Sequence, residues 1–227
     1  MKKLLSSSII ALTLTSGFMA PSYASNTLTV AEAKTLQFMH EEEKLAQDVY
    51  LTLYKKWNVQ AFSNIAGAEQ RHQNRLKRLL DQYNIPSTIQ SSQVGIFTNP
   101  ELATMYKQLT TQGLSSLEAA LKVGGMIEEL DIMDLQKAIA ESSRADVDQT
   151  YQHLMRGSRN HLRAFARQYK QRLGVTYKAQ LMPEDEVNAI ISSEPERGGA
   201  QGKHGKGHSL SQNKRHRMEQ GDCQHQS

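Results

Sequence analysis

Apolar residues recur along this chain at alternating steps of three and four, which is the period of an amphipathic α-helix. β-branched alternation is nearly absent, so the predicted fold class is all-α. Two Ser/Thr-x-x-Glu capping boxes mark helix starts, TVAE at residues 29–32 and SSLE at residues 115–118. The four long helices predicted in this way run to about Trp57, from about Ser63 to Tyr83, from Ser115 to about Ser142, and from about Ala145 to Leu173.

Shorter elements connect and follow these helices. Asn99 with Pro100 predicts a helix that ends near Gly113, and Pro183 starts another. Long helices of roughly 20 to 29 residues span about 30 to 43 Å, the size of a four-helix bundle. The short links after the first and third long helices predict antiparallel hairpins. We therefore expect an antiparallel four-helix bundle with a short extra helix in the crossover between its two hairpins.

The ends of the chain differ from its centre. Lys2 and Lys3, an apolar run and the small residues Ser22 and Ala24 have the pattern of a signal peptide over residues 1–24. The alternative is a membrane anchor, but the run is short for a span. We expect export to the periplasm or the outside of the cell, a bundle over residues 25–175, a C-terminal extension over 176–193 and a disordered tail over 194–227.

The tail carries half of the eight histidines of the chain, several basic residues and Cys223, its single cysteine. One interpretation is weak attachment to an anionic cell surface, and the other is low-affinity capture of metal ions by imidazole and thiolate. No internal disulfide can form, so stability must come from core burial, alone or with metal. The net charge of +4 is too small to indicate specific nucleic-acid binding.

Ligand-type side chains interrupt the apolar face of every long helix near its middle. These side chains are Glu43 in the first helix, Glu69 and His72 in the second, Glu128 and Asp131 in the third, and Ser158 and His161 in the fourth. Burying several carboxylates without compensation costs far more than a marginally stable fold can lose. Carboxylates and imidazoles facing inward are the ligand set of a dinuclear transition-metal site.

Other interpretations remain open at this point. An inward His or Glu can belong to a hydrogen-bonded or ion-paired core network, and Glu128 can turn towards a flank of its helix. Glu41 and Glu42 lie outside the apolar face and are expected to be solvated. The glycines near the site, Gly67, Gly124, Gly125 and Gly157, either leave room for metal-bound water and dioxygen or serve plain helix packing.

The segments EKLAQDVY and EQRH resemble the first two metal-binding helices of the ferritin-like superfamily. EEEKLAQDVY, IAGAEQRHQNRLKRLLDQY, GIFTNPEL, IEELDIMDLQ and GSRNHLRAF are more closely similar to a bacterial ferritin-like family named domain of unknown function 2202. This resemblance covers residues 32–170 and implies the ferritin-like fold. It says little about activity, and the chain has Ser158 where the superfamily pattern has a glutamate. Asp131 can restore that carboxylate, or the site is mononuclear or asymmetric.

The expected function is binding of two iron ions, or of manganese, by six residues: Glu43, Glu69, His72, Glu128, Asp131 and His161. Oxidation of Fe²⁺ by dioxygen or peroxide is the chemistry that the resemblance implies, with Tyr50 bonding to a ligand or donating an electron. The alternative is a non-enzymatic interaction or surface-attachment module with a polar, metal-free core. Whether the protein forms oligomers stays open.

Overall fold

The computed structural model describes residues 27–197, and every regular element in this range is a helix. The all-α prediction is confirmed. The helices are α1 Val30–Trp57, α2 Gln60–Gln82, α3 Pro100–Gly113, α4 Leu117–Glu141, α5 Ala145–Leu173 and α6 Glu184–Ser192. The predicted signal peptide and all but the first four residues of the predicted tail lie outside the described residues.

Local signals fix several helix ends as predicted. The capping box at Thr29 is formed, because its hydroxyl accepts from the Glu32 amide at 3.1 Å and the Glu32 carboxylate accepts from the Thr29 amide at 2.8 Å. Asn99 caps α3 by accepting from the Glu101 amide at 2.8 Å. Gly174 follows α5 with φ of 74°, a left-handed conformation that glycine adopts without strain.

Two predicted starts were wrong. α2 begins at Gln60 rather than near Ser63, and Val59 before it has no side chain that can cap. The second predicted capping box is shifted by one residue: Ser116 caps α4 by accepting from the Ala119 amide at 3.0 Å. The Ser115 hydroxyl instead donates to the Gln112 carbonyl at 2.6 Å.

The helices assemble into a helical bundle. α1 packs along α2 and α4 packs along α5, while α2 also contacts α5 and α1 contacts α4. α3 lies against α1 and α4, and α6 lies against α5. All of these helices belong to one compact unit. No helix among residues 27–197 combines the length and the apolarity that crossing a bilayer requires.

The apolar core of the bundle is split into two clusters. One contains Tyr50, Phe62 and Phe165, and the other contains Leu76 and Leu135. Along α1, α2 and α5, the candidate ligand positions lie between the residues of one cluster and those of the other. On α4, Glu128 and Asp131 lie near this boundary, with Ile132 of the first cluster directly after them. A polar layer therefore crosses the bundle between two apolar layers.

The solvated placement expected for Glu41 and Glu42 was wrong, since their relative exposures are only 2% and 4%. The segment between α2 and α3 covers α1 at Glu41, whereas Glu42 faces carboxylates of α4. The Glu41 carboxylate accepts from the amides of Thr98 and Asn99, the latter at 3.0 Å. These partners lie 57 and 58 residues along the chain, so the helical period of α1 alone could not reveal them.

Candidate metal centre

The structure brings five of the predicted ligand residues together in the polar layer. They fall into two groups, Glu43–Glu69–His72 and Glu69–Glu128–His161, and within each group the ligand atoms lie within 4.8 Å of one another. This spread is about twice the 2.0–2.2 Å of a bond from a transition metal to oxygen or nitrogen. Each group therefore has the dimensions of one metal position.

Glu69 belongs to both groups and lies between two imidazoles. Its Oε2 is 2.8 Å from Nδ1 of His72, and its Oε1 is 2.9 Å from Nδ1 of His161. The two rings are stacked with centroids 5.6 Å apart. His72 Nδ1 is also 3.2 Å from Glu43 Oε2, and His161 Nδ1 is 3.4 Å from Glu128 Oε2. Each ring thus faces Glu69 and one further carboxylate.

Several buried polar atoms of this layer have no hydrogen-bond partner. His161 Nδ1 forms no hydrogen bond despite its short distance to Glu69, and Glu43 Oε1 also lacks a partner. A buried polar group left unpaired costs roughly 1–3 kcal/mol, and more when it is charged. His72 Nδ1 and Glu43 Oε2 do form a hydrogen bond, but converging ligand atoms of which several stay unpartnered fit a shared cation better than a closed hydrogen-bond network.

Tyr50 lies against the second group. Its hydroxyl donates to Glu128 Oε1 at 2.5 Å, and the side chain is completely buried. Burial raises the pKa of this phenol well above its usual value, and the charge of Glu128 acts in the same direction. The hydroxyl therefore keeps its proton at neutral pH and fixes the orientation of Glu128. The flank placement considered for Glu128 does not occur, since this carboxylate faces the layer.

Asp131 lies outside both groups, although it was predicted as a ligand. The Ser158 hydroxyl donates to its Oδ2, while its Oδ1 has no partner. Ser158 is fully buried. Ser158 on α5 thus holds a carboxylate supplied by α4.

Burial and mutual repulsion make it unfavourable for all carboxylates of the layer to be ionised at once. Burial raises the pKa of Glu43 well above its usual value, with Asp131 and Glu69 adding to the shift. Burial also raises the pKa of Asp131 to about 7, and the charge of Glu128 acts in the same direction. For Glu69, burial would raise the pKa, but the two imidazoles lower it below its usual value.

No lysine or arginine among residues 27–197 forms an ion pair with these carboxylates, whose only cationic neighbours are the imidazoles. Three carboxylates and two imidazoles converge on two positions, so the residues present fit divalent transition-metal ions. Bound cations would supply the positive charge that the layer lacks.

Glu42 is a polar residue of this region that the sequence pattern missed. It is 4% exposed and neither carboxylate oxygen has a hydrogen-bond partner. Together with Glu43, Glu69, Glu128 and Asp131 it borders a small cavity of about 10 Å³. Burial raises the pKa of Glu42 well above the usual value, and the charges of Asp131 and Asp134 raise it further. Its position in an acidic run concealed it, because such runs are usually solvated.

A family model described as "Uncharacterized protein domain (DUF2202)" matches residues 32–194. The chain belongs to the DUF2202 family. It is 48% identical over 167 residues to the uncharacterized protein MJ0754 of Methanocaldococcus jannaschii, covering 74% of this chain and 90% of that protein. It also resembles the crystal structure of hypothetical protein MJ0754 from Methanococcus jannaschii DSM 2661, with a TM-score of 0.72 and 46% identity over 74% of this chain and 96% of that one.

The DUF2202 match spans both ligand groups and the glycines near them. A Cβ atom on Gly124 would lie 2.6 Å from the Phe165 ring, and one on Gly125 would overlap the Tyr177 hydroxyl. A Cβ on Gly157 would lie 2.6 Å from Cε1 of His72. Close packing therefore accounts for the first two glycines, Gly124 against α5 and Gly125 against the segment after α5, and Gly157 leaves space for a candidate ligand. Neither reason applies to Gly67, whose Cβ would meet nothing closer than 3.8 Å.

Proposed function

We propose that this DUF2202 protein is an exported, ferritin-like metal-binding protein with a dinuclear carboxylate site in the core of its bundle. The observation that carries the proposal is the placement of Glu69, whose two carboxylate oxygens face the Nδ1 atoms of two different imidazoles. Glu43 completes one group and Glu128 the other. A carboxylate shared between two such groups is suited to bridge two ions.

The donor set favours iron, with manganese as the alternative. All ligand atoms are carboxylate oxygens or imidazole nitrogens and none is a thiolate, a combination that suits iron and manganese among the first-row metals. The helix pattern supports the ferritin-like interpretation: α1 and α4 each supply a glutamate, and α2 supplies Glu69-x-x-His72. α5 supplies His161, with Ser158 in place of the second glutamate of that pattern.

The activity that we propose is oxidation of Fe²⁺ by dioxygen or peroxide, with iron as the substrate. The carboxylates of Glu43, Glu69 and Glu128 would hold the ions and favour the more highly charged ferric product. Tyr50 would keep Glu128 oriented through its 2.5 Å hydrogen bond. Asp131, held by Ser158, would lie behind the ligands as a carboxyl able to take up a proton.

A metal-free interaction module is the competing function. The contacts from Tyr50 to Glu128 and from Ser158 to Asp131 are of the kind that a buried polar network requires. Against it stand the unpartnered atoms of Glu42, Glu43, Asp131 and His161, because a network that is only partly satisfied is costly. Basic tail residues would in that case carry attachment to an anionic surface.

Metal content and thermal stability separate the two functions. The full chain is purified without added metal, its bound metals are measured by mass spectrometry, and its melting temperature is recorded with Fe²⁺, with Mn²⁺ and with chelator. We expect up to two ions per chain and a melting temperature that falls on chelation. A protein that holds no metal and responds to neither Fe²⁺ nor chelator would refute metal binding.

Two variants locate the site. Glu69→Ala is expected to lose the bound metal, while Glu101→Gln, which removes an exposed carboxylate from α3, is expected to retain it. Unchanged metal content in Glu69→Ala would refute the site assignment even if the protein binds metal. Loss of Fe²⁺ under air, measured with a ferrous-specific chelator, then tests turnover in the wild type.

Export rests on the pattern of residues 1–24 and has a separate test. Expression of the full gene followed by cell fractionation is expected to place the protein outside the cytoplasm. Sequencing of its N-terminus is expected to begin at Ser25, after the small residues Ser22 and Ala24. A cytoplasmic protein that retains Met1 would contradict export and leave the metal site untouched.

A further inference from the structure

A second cavity lies between α2 and α5, beside the two imidazoles of the candidate metal centre. Its volume is about 450 Å³, and His72 and His161 form part of its wall. The other polar side chains around it come from both helices: Arg71, Arg75, Arg78, Asn74, His153 and Asn160. Because liquid water occupies about 30 Å³ per molecule, this space can hold a small hydrated ion.

The charges around this cavity all have one sign. None of its lining residues is acidic. Arg71, Arg75 and Arg78 follow one another at steps of four and three along α2, so their side chains share one helix face. Arg156 of α5 adds a further guanidinium nearby, with its Nη2 2.5 Å from Nδ1 of His153.

These arginines have no carboxylate partners within residues 27–197, whereas other arginines of the bundle do. Arg159 and Arg163 on α5 both pair with Glu196, at 2.5 and 2.9 Å. Arg71 donates only to a carbonyl of its own helix, that of Gly67 at 2.7 Å. Arg75 and Arg78 form no ion pair in the described part of the chain. The basic cluster is thus left uncompensated where it faces the cavity.

The positive charges of the cluster repel one another. Partial burial lowers the pKa of the Arg75 guanidinium, and the charges of Arg78 and Arg156 lower it further. Partial burial lowers the pKa of His153 to about 4, and Arg75 and Arg156 act in the same direction. An anion in the cavity would relieve this repulsion.

We propose that the cavity between α2 and α5 binds a tetrahedral oxyanion of the phosphate type, either as the free ion or as the phosphate group of a small molecule. Arginine forks match the geometry of phosphate oxygens, and donors from two helices can reach a tetrahedral ion from different sides. Asn74 offers an amide donor at the same cavity, and Asn160 Nδ2, which already donates to the Glu196 carbonyl at 2.9 Å, has a second N–H. The site does not depend on metal in the adjacent layer, so it goes beyond the proposed function.

Binding of inorganic phosphate to the chelator-treated full chain tests this proposal. Calorimetric titration and melting temperature are compared between potassium phosphate and potassium chloride at equal ionic strength. Arg75→Gln removes the central arginine of the cluster. Arg172→Gln removes an exposed arginine from α5, away from the cavity, and serves as the matched control. A methyl phosphate titration distinguishes a free ion from a phosphate monoester.

We expect phosphate, methyl phosphate or both to bind the wild type more tightly than chloride does. We expect Arg75→Gln to weaken that binding about tenfold while Arg172→Gln leaves it unchanged. Equal binding by wild type and Arg75→Gln, or no effect of either phosphate beyond that of chloride, would overturn the proposal. Circular dichroism of Arg75→Gln checks its fold, and an Arg78→Gln variant repeats the test at the exposed end of the cluster. Metal content is measured separately in each variant, so the failure of one proposal does not decide the other.

Discussion

A single methyl group added at Gly124 measures how closely α4 and α5 approach beside the polar layer. In Gly124→Ala the new Cβ would lie 2.6 to 2.8 Å from three atoms of the Phe165 ring. That ring is fully buried and lies 5.2 Å from the Tyr50 ring and 5.3 Å from the Phe62 ring, centroid to centroid. It has little room to move away.

The expected change in the free energy of unfolding is the sum of two opposing effects. Alanine in place of glycine stabilises a helix interior by about 1 kcal/mol. Overpacking a filled core costs about 1–3 kcal/mol, so Gly124→Ala should be destabilised by about 1 kcal/mol. Gly67→Ala receives the helix gain alone, because its Cβ would meet only Arg71 Nη1 at 3.8 Å. It should therefore be stabilised by up to about 1 kcal/mol.

Chemical denaturation of chelator-treated proteins is the assay, so that metal binding does not contribute to the difference. Thermal unfolding gives a second readout, since 1 kcal/mol corresponds to about 2–4 °C in melting temperature for a domain of this size. If Gly124→Ala is stabilised as much as Gly67→Ala, the close contact between α4 and Phe165 is wrong. In a Phe165→Leu background the cost of Gly124→Ala should shrink, and a double-mutant cycle measures this coupling.

Three further predictions concern the polar layer and its surroundings. Gly157→Ala should bind less metal than the wild type, because the new Cβ would displace the imidazole of His72. The control variant Gly67→Ala should keep the metal content of the wild type. Glu129→Gln should destabilise the protein by about 2 kcal/mol or more, since its carboxylate accepts from the Tyr177 hydroxyl at 2.7 Å and from the amides of Gln180, Leu181 and Met182. Increased proteolysis after α5, absent in Glu141→Gln, would mark this loss. In the metal-free protein, the contribution of Asp131 to stability should fall as pH rises from about 4 to 7, because its pKa is about 7 when folded against 3.8 when unfolded. Wild type should therefore lose stability relative to Asp131→Asn over this range, whereas His40 and His153, with pKa values lowered to about 4, act in the opposite direction in both proteins. The raised pKa of His161 acts in the same direction as Asp131 above about pH 6.5. A difference in melting temperature between wild type and Asp131→Asn that stays constant from about pH 4 to 7 would contradict the assignment.

The sequence by itself determined the helices and most of their ends. The period of apolar residues, the cap at Thr29, the Asn99-Pro100 start and the glycine at 174 are local signals that act within one or two turns. They predicted the all-α class correctly. Local signals failed where no cap exists, as before α2, and where two adjacent serines compete for one cap, as before α4.

For the candidate site too, the sequence predicted some features and missed others. Helical spacing predicted that the ligand-type residues of α2 face inward, and the structure brings Glu69 and His72 together with Glu43, Glu128 and His161. The spacing did not show that Asp131 is held by Ser158 rather than joining the ligand groups. Which of two inward carboxylates reaches the centre depends on helix rotation and translation, and a helical period does not specify these.

Only the tertiary structure decided the surroundings of the site. Glu41 is buried because the segment before α3 returns to cover α1, and Glu42 because it faces α4; both are contacts between residues far apart in sequence. The uncompensated arginines of α2 line a cavity only because α5 supplies its opposite wall. Local sequence fixes which way a side chain leaves its own helix, whereas burial and charge balance are set by every neighbouring element, so they emerge only when the helices pack.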